Sequence, residues 1–265
     1  MKLVILSACV YLLVAFYIFG PIQEVNKKQS KAHMDIAKED QGPVPSLKSV
    51  HEERKIESAK LPVFEKIDRD ESHRRERLRV LKEVYAVPHS PDDVYKLNES
   101  LSRTIDLDRS PNDLRPDMCR PLSYEYSSLP TVSLIMPIYN EALSMLLRVV
   151  HSVINNTPQH LLVDIILVDD DSKNENLKEP LERYIKYLPD KVRILRNDKR
   201  EGLIRARMRG AAVARGDVLM FQDVHTEFSQ GWAEPILQYI KDHPNTIVQP
   251  VVEELNVDTI SWPMR

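Results

Sequence analysis

The sequence predicts an α/β domain built on a mainly parallel sheet with helices on both faces. Strand-like runs rich in Val, Ile and Leu alternate with amphipathic helical patterns from about residue 129 onward. The strand runs are continuously apolar, which is typical of strands buried on both faces. Polar clusters follow these strands, at the edge where parallel sheets bind ligands. With 265 residues, 42% of them hydrophobic, the chain is long enough for one such domain and an extension.

The predicted elements follow one another without a long interruption. The segments between the strand-like runs carry apolar residues at helical spacing. In chain order, the predicted strands are TVSLIMPIY, VDIILVDDDS, KVRILRND, DVLMFQD and TIVQPVV, and the predicted helices are EALSMLLRVVHSVIN, NLKEPLERYIKYL, GLIRARMRGAAVAR and GWAEPILQYIKDH. Within the first helix, Met145, Leu146, Val149 and Val150 share one face, so we assign them to the core.

The first twenty residues predict an uncleaved signal anchor that crosses a membrane as a helix. Residues 3–20 are uncharged, and this length is close to the minimum for a membrane-spanning helix. A cleaved signal peptide is the alternative, because Lys2 provides a short positive region. Bulky residues in AFYIFGPIQ occupy the place of a small-x-small cleavage site, which favours the anchor. The flanking charges by themselves favour the orientation opposite to that of a lumenal domain.

Residues 21–90 are predicted as a mobile lumenal stem. The segment is rich in charged residues and has few apolar ones, so it cannot bury enough surface to offset its chain entropy. One stretch within it, DESHRRERLRVLKEVYAV, has helical spacing and could dock on the domain. Residues 91–128 form a lead-in to the domain at 129–265. N-glycosylation sequons occur at Asn98 and Asn155, and they have meaning if these segments are lumenal.

Composition argues against several classes of function. A net charge of −3 is not that of a typical nucleic-acid-binding protein, which has a basic surface. The two cysteines, Cys9 and Cys119, are too few for a disulfide framework. The chain has neither a P-loop nor a G-x-G-x-x-G motif, so an ordinary nucleoside triphosphate or dinucleotide site is not predicted.

Four polar clusters would lie along one edge of the predicted sheet. They are YNE, DDDS, NDKREG and DVH. In the last, Asp223 and His225 are two residues apart, and residues with this spacing in a strand point to the same side. They could therefore converge on one ligand. Alternatively, DVH is a polar turn, and Asp171 or Ser172 of DDDS caps a helix. Four polar strand ends on one edge together favour a binding site.

Several segments of the chain resemble the polypeptide N-acetylgalactosaminyltransferases, Golgi enzymes that begin mucin-type O-glycosylation. They are YNEALSMLLRVVHSVINNTPQHLLVDIILVDDDS, ILRNDKREGLIRARMRGAAVARGDVLMFQDVH and GWAEPIL, preceded by the lead-in LSRTIDLDRSPNDLRPDMC. The resemblance implies a GT-A fold, which is a Rossmann-like nucleotide-sugar-binding sheet. It implies UDP-GalNAc as donor and Ser or Thr of a polypeptide as acceptor. It also implies a single-pass type II protein of the Golgi membrane.

The resemblance assigns roles to residues at the strand ends. The family's metal motif is Asp-x-His, which makes Asp223 and His225 the expected ligands of Mn²⁺, an ion suited to mixed oxygen and nitrogen donors. Asp170 and Arg200 would hold the uridine, with Glu141 near the strand end. The other residues expected to line the UDP-sugar pocket are Pro137, Tyr139, Gly202 and Leu203. Family members retain the anomeric configuration, and no catalytic nucleophile is assigned in this chain.

The helix that begins near Gly202 would direct its first N–H groups toward the diphosphate. Its arginines, Arg205, Arg207 and Arg209, are predicted to be structural, because residues two apart diverge on a helix. The cation would act as a Lewis acid that neutralises the charge of the leaving UDP.

The chain also departs from the family's pattern. Ile138 and Tyr139 stand where the family often has Phe-His, and Val224 and Thr226 differ from its usual residues around the metal motif. The family's third metal ligand, its acceptor-binding half, its lectin domain and the partner of its lead-in cysteine would lie beyond the last residue. Two ligands alone are therefore expected to hold a metal weakly.

Two hypotheses of different classes follow. The first is a GalNAc transferase, of which this sequence is a fragment, a splice form or a truncated form. The second is a non-catalytic Golgi membrane protein that keeps half of a donor site and binds UDP or partner transferases. A different GT-A transferase is a third hypothesis, since related folds use a similar nucleotide site.

Overall fold

The computed structural model describes residues 3–6, 62–88, 95–113, 115, 122–250, 252 and 255–261. They contain a five-stranded sheet in the order β1-β5-β2-β3-β4, in which every neighbouring pair is parallel. The strands are β1 (Leu3–Leu6), β2 (Val132–Ile138), β3 (Leu162–Asp169), β4 (Val192–Arg196) and β5 (Val218–Phe221). The predicted α/β class with a parallel sheet is confirmed.

Helices connect the successive strands from β2 to β5, as the alternating pattern predicts. The helices are α1 (Glu71–Ala86), α2 (Glu99–Ser102), α3 (Leu143–Asn156), α4 (Glu179–Ile185), α5 (Leu203–Val213) and α6 (Ala233–Asp242), with 3₁₀ turns at Tyr126–Ser128 and Glu175–Leu177. Four of the predicted strands and all four predicted helices are confirmed.

The two faces of the sheet bury different side chains, because successive strand residues point to opposite sides. On one face, Leu134 and Met136 belong to the large core that also contains side chains of α1, α3, α4 and α6. On the other face, Ile135 and Val168 pack with Ala206 of α5. Gly210 permits the close approach of α5, since a Cβ there would lie 2.4 Å from Ile135 Cγ2. The core residues assigned in the first helix, Met145, Leu146, Val149 and Val150, are all buried.

Helix α1 packs on the domain, although its residues fall in the predicted stem. The Asp70 side chain caps its start by accepting a hydrogen bond from the His73 N–H at 2.8 Å. The helix buries Arg77, Val80 and Val84. Three residues at helical spacing are enough to attach one face of a helix whose composition is otherwise charged. The packed part of the chain therefore includes residues 62–88.

The predicted fifth strand, TIVQPVV, is not formed by those of its residues that the structure describes. Ile247 and Val252 are 47% and 50% exposed, and Val248 makes only an isolated bridge. Pro250 has no N–H to contribute to a ladder, which weakens this run as a strand. The outer edge of β5 pairs instead with β1.

Most of the predicted membrane anchor lies outside the described residues. Leu3–Leu6 form β1, which differs from the helix expected there, because a short apolar run with β-branched residues suits either element. Within the described ranges, no helix has the length and apolarity to span a membrane. Residues 21–61 of the predicted stem and Cys119 of the lead-in also fall outside those ranges.

Candidate active site

The loops after β2 and β3 are joined to each other by Asn140. Its backbone has a positive φ of 56°, which asparagine tolerates better than most residues. Its side-chain oxygen accepts hydrogen bonds from the N–H groups of Lys173 (2.6 Å) and Asn174 (3.1 Å), and its own N–H donates to Ser172 Oγ at 3.0 Å. Asn140 and Ser172 therefore hold the loops after β2 and β3 together at this edge of the sheet.

Asp170 organises the loop between β4 and α5. Its carboxylate accepts hydrogen bonds from the backbone N–H groups of Glu201 and Gly202, both at 2.8 Å, and from Asn197 Nδ2 at 2.7 Å. Burial alone would raise the pKa of Asp170, but these hydrogen bonds and the Arg200 charge hold the pKa below its ordinary value. The Asp170 carboxylate is thus ionised and fixed at the start of α5.

Gly202 is the residue that lets the chain enter α5 in this way. Its φ is +91°, in the region that side-chain-bearing residues rarely adopt, and it caps the helix. A Cβ at Gly202 would meet no atom within 4 Å, so the restriction on this position is the backbone conformation alone. Leu203, the first residue of α5, is 39% exposed beside it.

An exposed aromatic and cationic surface lies next to the Asp170 loop. The Arg200 guanidinium stacks over the Tyr139 ring, with its central carbon 3.8 Å from the ring centroid, and Tyr139 is 37% exposed. Pro137 lies near the end of β2, past Ile135, the last β2 residue that pairs with β5. A missing N–H at Pro137 therefore breaks no bond to β5. The structure places all the predicted UDP-pocket residues along this edge.

Asp223 and His225 lie in a bend that follows β5. Val224 between them is 1% exposed, whereas His225 is exposed, so the two polar side chains lie on the side opposite the core. Thr226 Oγ1 donates to the Asp223 carbonyl at 3.0 Å and accepts from Gln222 Nε2 at 3.0 Å, which stabilises the bend.

Arg207 contacts Asp223 of the predicted metal motif. This contact was not predicted from the sequence. Arg207 is buried in α5 at 2% exposure, and its Nη2 lies 3.2 Å from Asp223 Oδ1. The other two arginines of the helix differ: Arg205 is exposed, and Arg209 Nη1 donates to the Arg196 carbonyl at 2.7 Å. A usable signal was the position of Arg207 directly after Ala206, on the packed side of α5.

Glu141 lies close to the same bend. Burial raises the pKa of its carboxyl, while the nearby charges of His225 and Asp223 act in opposite directions, lowering and raising the pKa respectively. Glu141 in the β2 loop is therefore close enough to the bend after β5 for its carboxyl to respond to the charges of Asp223 and His225. The structure thus gathers the residues predicted from YNE, DDDS, NDKREG and DVH along the carboxyl ends of β2 to β5.

Asp223 and His225 provide some of the ligands that a divalent cation needs. Asp223 uses Oδ1 for Arg207, which leaves Oδ2 for a cation, and His225 offers an imidazole nitrogen. A carboxylate with an imidazole is a donor set that Mn²⁺ accepts. Across the described ranges, no group of three or more His, Cys, Asp or Glu residues is placed to hold a metal. A cation held by Asp223 and His225 would therefore need further ligands from outside these ranges.

The two sequons occupy different surroundings. Asn98 caps α2 by accepting a hydrogen bond from the Leu101 N–H at 2.8 Å. Asn155 lies in the last turn of α3, where its Nδ2 donates to Asp108 at 2.9 Å, and Thr157 of its sequon is fully buried.

Comparison with known proteins identifies a family. The model for the family described as "Glycosyl transferase family 2" matches residues 133–265. The chain is 48% identical over 166 residues to human polypeptide N-acetylgalactosaminyltransferase 9. The aligned region covers 62% of this chain and 27% of that protein. It is 44% identical over 169 residues to the mouse inactive polypeptide N-acetylgalactosaminyltransferase-like protein 5, which covers 63% of this chain and 39% of that protein.

A solved structure agrees with these matches. The crystal structure of GalNAc-T7 with UDP, GalNAc and Mn²⁺ has a TM-score of 0.61 and 36% sequence identity, over 72% of this chain and 34% of that chain. The chain therefore spans between 27% and 39% of the length of these three proteins. On these grounds, the chain belongs to glycosyl transferase family 2 and is related to the polypeptide N-acetylgalactosaminyltransferases.

Proposed function

We propose that this chain acts in the transfer of N-acetylgalactosamine from UDP-GalNAc to Ser or Thr residues of polypeptides, with retention of configuration. The observation that carries the proposal is that Asp170, Arg200 and Tyr139 lie at the same edge of the sheet as Asp223 and His225. The relatives support it, because GalNAc-transferase is the activity in the name of the human relative and GalNAc-T7 was solved with UDP and GalNAc.

The nucleotide would bind along the loop between β4 and α5. Asp170 holds that loop through the Glu201 and Gly202 N–H groups, so the start of α5 is preorganised. The first N–H groups of an α-helix have no intrahelical partners and favour an anion, which suits a diphosphate. The exposed Tyr139 ring and the Arg200 guanidinium offer a flat face and a positive charge for the uridine part.

The metal would be held by Asp223 and His225. Mn²⁺ bound there would supply Lewis-acid neutralisation of the charge that develops on the leaving diphosphate. Arg207 holds Asp223 through Oδ1 and leaves the second carboxylate oxygen available. Buried hydrogen-bond partners of this kind orient ligating carboxylates.

Calorimetric titration of UDP into the full chain, with and without Mn²⁺, tests the proposal. Asp223→Asn removes the charge but keeps an oxygen that accepts from Arg207, whereas Asp223→Ala would leave a buried guanidinium unpaired and confuse binding with stability. We expect Mn²⁺ to strengthen UDP binding by the natural chain and not by Asp223→Asn.

Asp171→Asn is the matched control for this titration. Asp171 is another carboxylate of the same edge, but its described ion-pair partner is Lys173, at the surface. The control should keep the Mn²⁺ dependence of UDP binding. Equal Mn²⁺ dependence in the natural chain and Asp223→Asn would reject the metal site.

A non-catalytic UDP-binding protein is the second candidate. The specific observation in its favour is the 44% identity to a relative whose name describes it as inactive. Both candidates predict UDP binding, so incubation with UDP-GalNAc and Ser/Thr-rich peptides separates them. Glycopeptides detected by mass spectrometry in excess of an Asp223→Asn control would decide for the transferase.

We also propose that the chain is a type II protein of the Golgi membrane, with residues 1–20 as anchor and the domain in the lumen. The uncharged run 3–20 supports this proposal, which requires Leu3–Leu6 to lie in the membrane and not in the β1 pairing with β5. Protease added outside sealed Golgi vesicles should spare a C-terminal tag on the full chain. Digestion of the tag in intact vesicles would exclude this topology.

A further inference from the structure

Glu227 is a buried carboxylate four residues after Asp223. Its side chain is 1% exposed, and it accepts two hydrogen bonds from the Arg109 guanidinium: Arg109 Nε lies 2.9 Å from Oε2, and Arg109 Nη2 contacts Oε1. The fully buried Arg148 of α3 approaches the same Oε1 with its Nη1 at 3.8 Å. Two arginines from different segments therefore converge on one carboxylate beside the bend that holds Asp223 and His225.

The same arginines also fix other parts of the chain. Arg109 Nη1 donates to the Ile260 carbonyl at 2.7 Å, so Arg109 joins the lead-in, the bend after β5 and the segment 255–261. Arg148 Nη2 donates to both the carbonyl and the hydroxyl of Ser102, at 2.5 and 3.1 Å. The position of Glu227 is thus set by segments that precede and follow the sheet.

Other described contacts also hold the bend: the Gln222 N–H donates to the Ile135 carbonyl at 3.1 Å, and Arg207 contacts Asp223 at 3.2 Å. Thr226 Oγ1 donates to the Asp223 carbonyl at 3.0 Å, within the bend itself. At the far end, the Phe228 N–H donates to Ser152 Oγ at 3.1 Å, and Asn156 Nδ2 donates to the Phe228 carbonyl at 2.9 Å. Glu227 lies between Thr226 and Phe228, so its ion pairs restrain the second half of the bend.

We propose that Glu227 is a positioning residue that holds the Asp223–His225 bend in place through its ion pairs with Arg109 and Arg148. As far as the bend binds a metal, this inference rests on the proposed function. Glu227 does not need to touch metal or nucleotide itself, because both its oxygens face arginines. No described hydrogen bond joins Glu227 to Asp223 or His225, so its effect on metal affinity would pass through the backbone of the bend and should lie near the low end of the about 10- to 100-fold seen for direct partners of metal ligands.

The test compares the full-length chain with Glu227→Gln and Arg109→Lys. Glu227→Gln keeps the shape and removes the charge, and Arg109→Lys keeps the charge and removes the two-point contact. Amide hydrogen exchange followed by mass spectrometry reports on residues 222–228 directly. Paramagnetic resonance of free Mn²⁺ reports metal affinity. We expect faster exchange in residues 222–228 and roughly tenfold weaker Mn²⁺ binding in both variants.

Arg215→Gln is the matched control. Arg215 makes a two-nitrogen contact with the fully buried Asp164, through Nη2 at 2.6 Å and Nε at 3.1 Å, near the opposite ends of the strands. Breaking this pair should leave exchange in residues 222–228 and Mn²⁺ affinity unchanged.

The outcomes distinguish positioning from general stability and from the proposed function. Faster exchange confined to the bend supports the inference, whether or not the natural chain binds Mn²⁺. Failure of the natural chain to bind Mn²⁺ would reject only the proposed metal site. Unchanged exchange at residues 222–228 overturns the inference. Exchange that rises evenly along the chain, or failure of both variants to fold, also overturns it, because the pair would then only hold the fold together.

Discussion

Two Asp–His pairs in this fold have opposite surroundings. Asp108 and His151 lie beneath α1, where the imidazole is fully buried and its Nδ1 is 2.7 Å from Asp108 Oδ1. The other ring nitrogen lies 3.0 Å from the Tyr184 hydroxyl. Arg77 closes this network by donating to the Tyr184 hydroxyl at 2.9 Å and to Asp108 at 3.1 Å. Each of these polar groups has a partner among the described residues, although the Asp108 carboxylate also reaches solvent.

The pair at the sheet edge is open by comparison. His225 is exposed and hydrogen-bonds none of the described residues, and Asp223 uses one carboxylate oxygen for Arg207. Identical residue types therefore serve structure in one place and suit ligand binding in the other. The difference lies in the burial of the imidazole and in the hydrogen bonds that its two nitrogens already make.

The largest effect is expected from breaking the closed network. Arg77→Met should lower the free energy of unfolding by about 3 kcal/mol, the low end for a broken buried ion pair, because Asp68 and Asp108 still reach water. Chemical denaturation monitored by circular dichroism measures it. Arg79→Met on the same helix is the control, and since Arg79 is exposed its loss should change stability little. Equal effects of the two substitutions would show that the network adds nothing.

A second effect is expected in the pH dependence of stability. Burial holds the pKa of His151 below its ordinary value of 6.5, although the adjacent Asp108 favours the protonated ring. The folded chain then binds this proton less readily than the unfolded chain. The free energy of unfolding should therefore be highest above about pH 6.5 and fall as the pH decreases toward the folded pKa.

Denaturant unfolding of the natural chain and His151→Gln between about pH 7.5 and 5.5 measures this slope. The variant should lose the part of the slope that begins near the ordinary histidine pKa. The Arg77 charge, which also faces the ring, opposes protonation and Asp68 favours it, so both stay unchanged in the comparison. Parallel slopes in the two proteins would contradict the prediction.

The smallest stability effect is expected at the open edge. Asp170→Asn replaces one of two acceptor oxygens by a donor, which then faces a backbone N–H of Glu201 or Gly202. The cost should be about 1–3 kcal/mol for the unsatisfied group, while UDP binding falls by roughly tenfold or more because the start of α5 moves. Calorimetry measures both the melting transition and UDP affinity. A variant that melts earlier and binds UDP normally would separate Asp170 from the nucleotide site.

Most of the fold could be predicted because its signals are local. The strands β2 to β5 and the helices between them follow from continuous apolar runs and helical spacing. The run TIVQPVV has the same composition but forms no strand in its described residues, since a strand needs a neighbour and the pattern does not show one. Helix α1 was predicted only as a stretch of the stem that could dock on the domain, because its charged composition outweighed its three buried positions.

The candidate site was predictable in its members but not in their connections. The strand-end rule is enough to place Asp170, Asp223 and His225 on one edge. Arg207 and Glu227 were missed as site residues because their partners are distant in sequence: Arg207 reaches Asp223 across 16 positions, and Arg109 reaches Glu227 across 118. No periodicity in a single sequence reports such contacts.

The sequence by itself determined the parallel α/β class, the order of elements from β2 to α6 and the edge where polar residues gather. These depend on hydrophobic patterning and chain direction, which act over a few residues at a time. Only the tertiary structure decided which arginine meets which carboxylate. A buried charge needs a partner brought from elsewhere in the chain, and packing alone selects that partner. For this reason the His151 imidazole became enclosed in a structural network, whereas the His225 imidazole remained exposed.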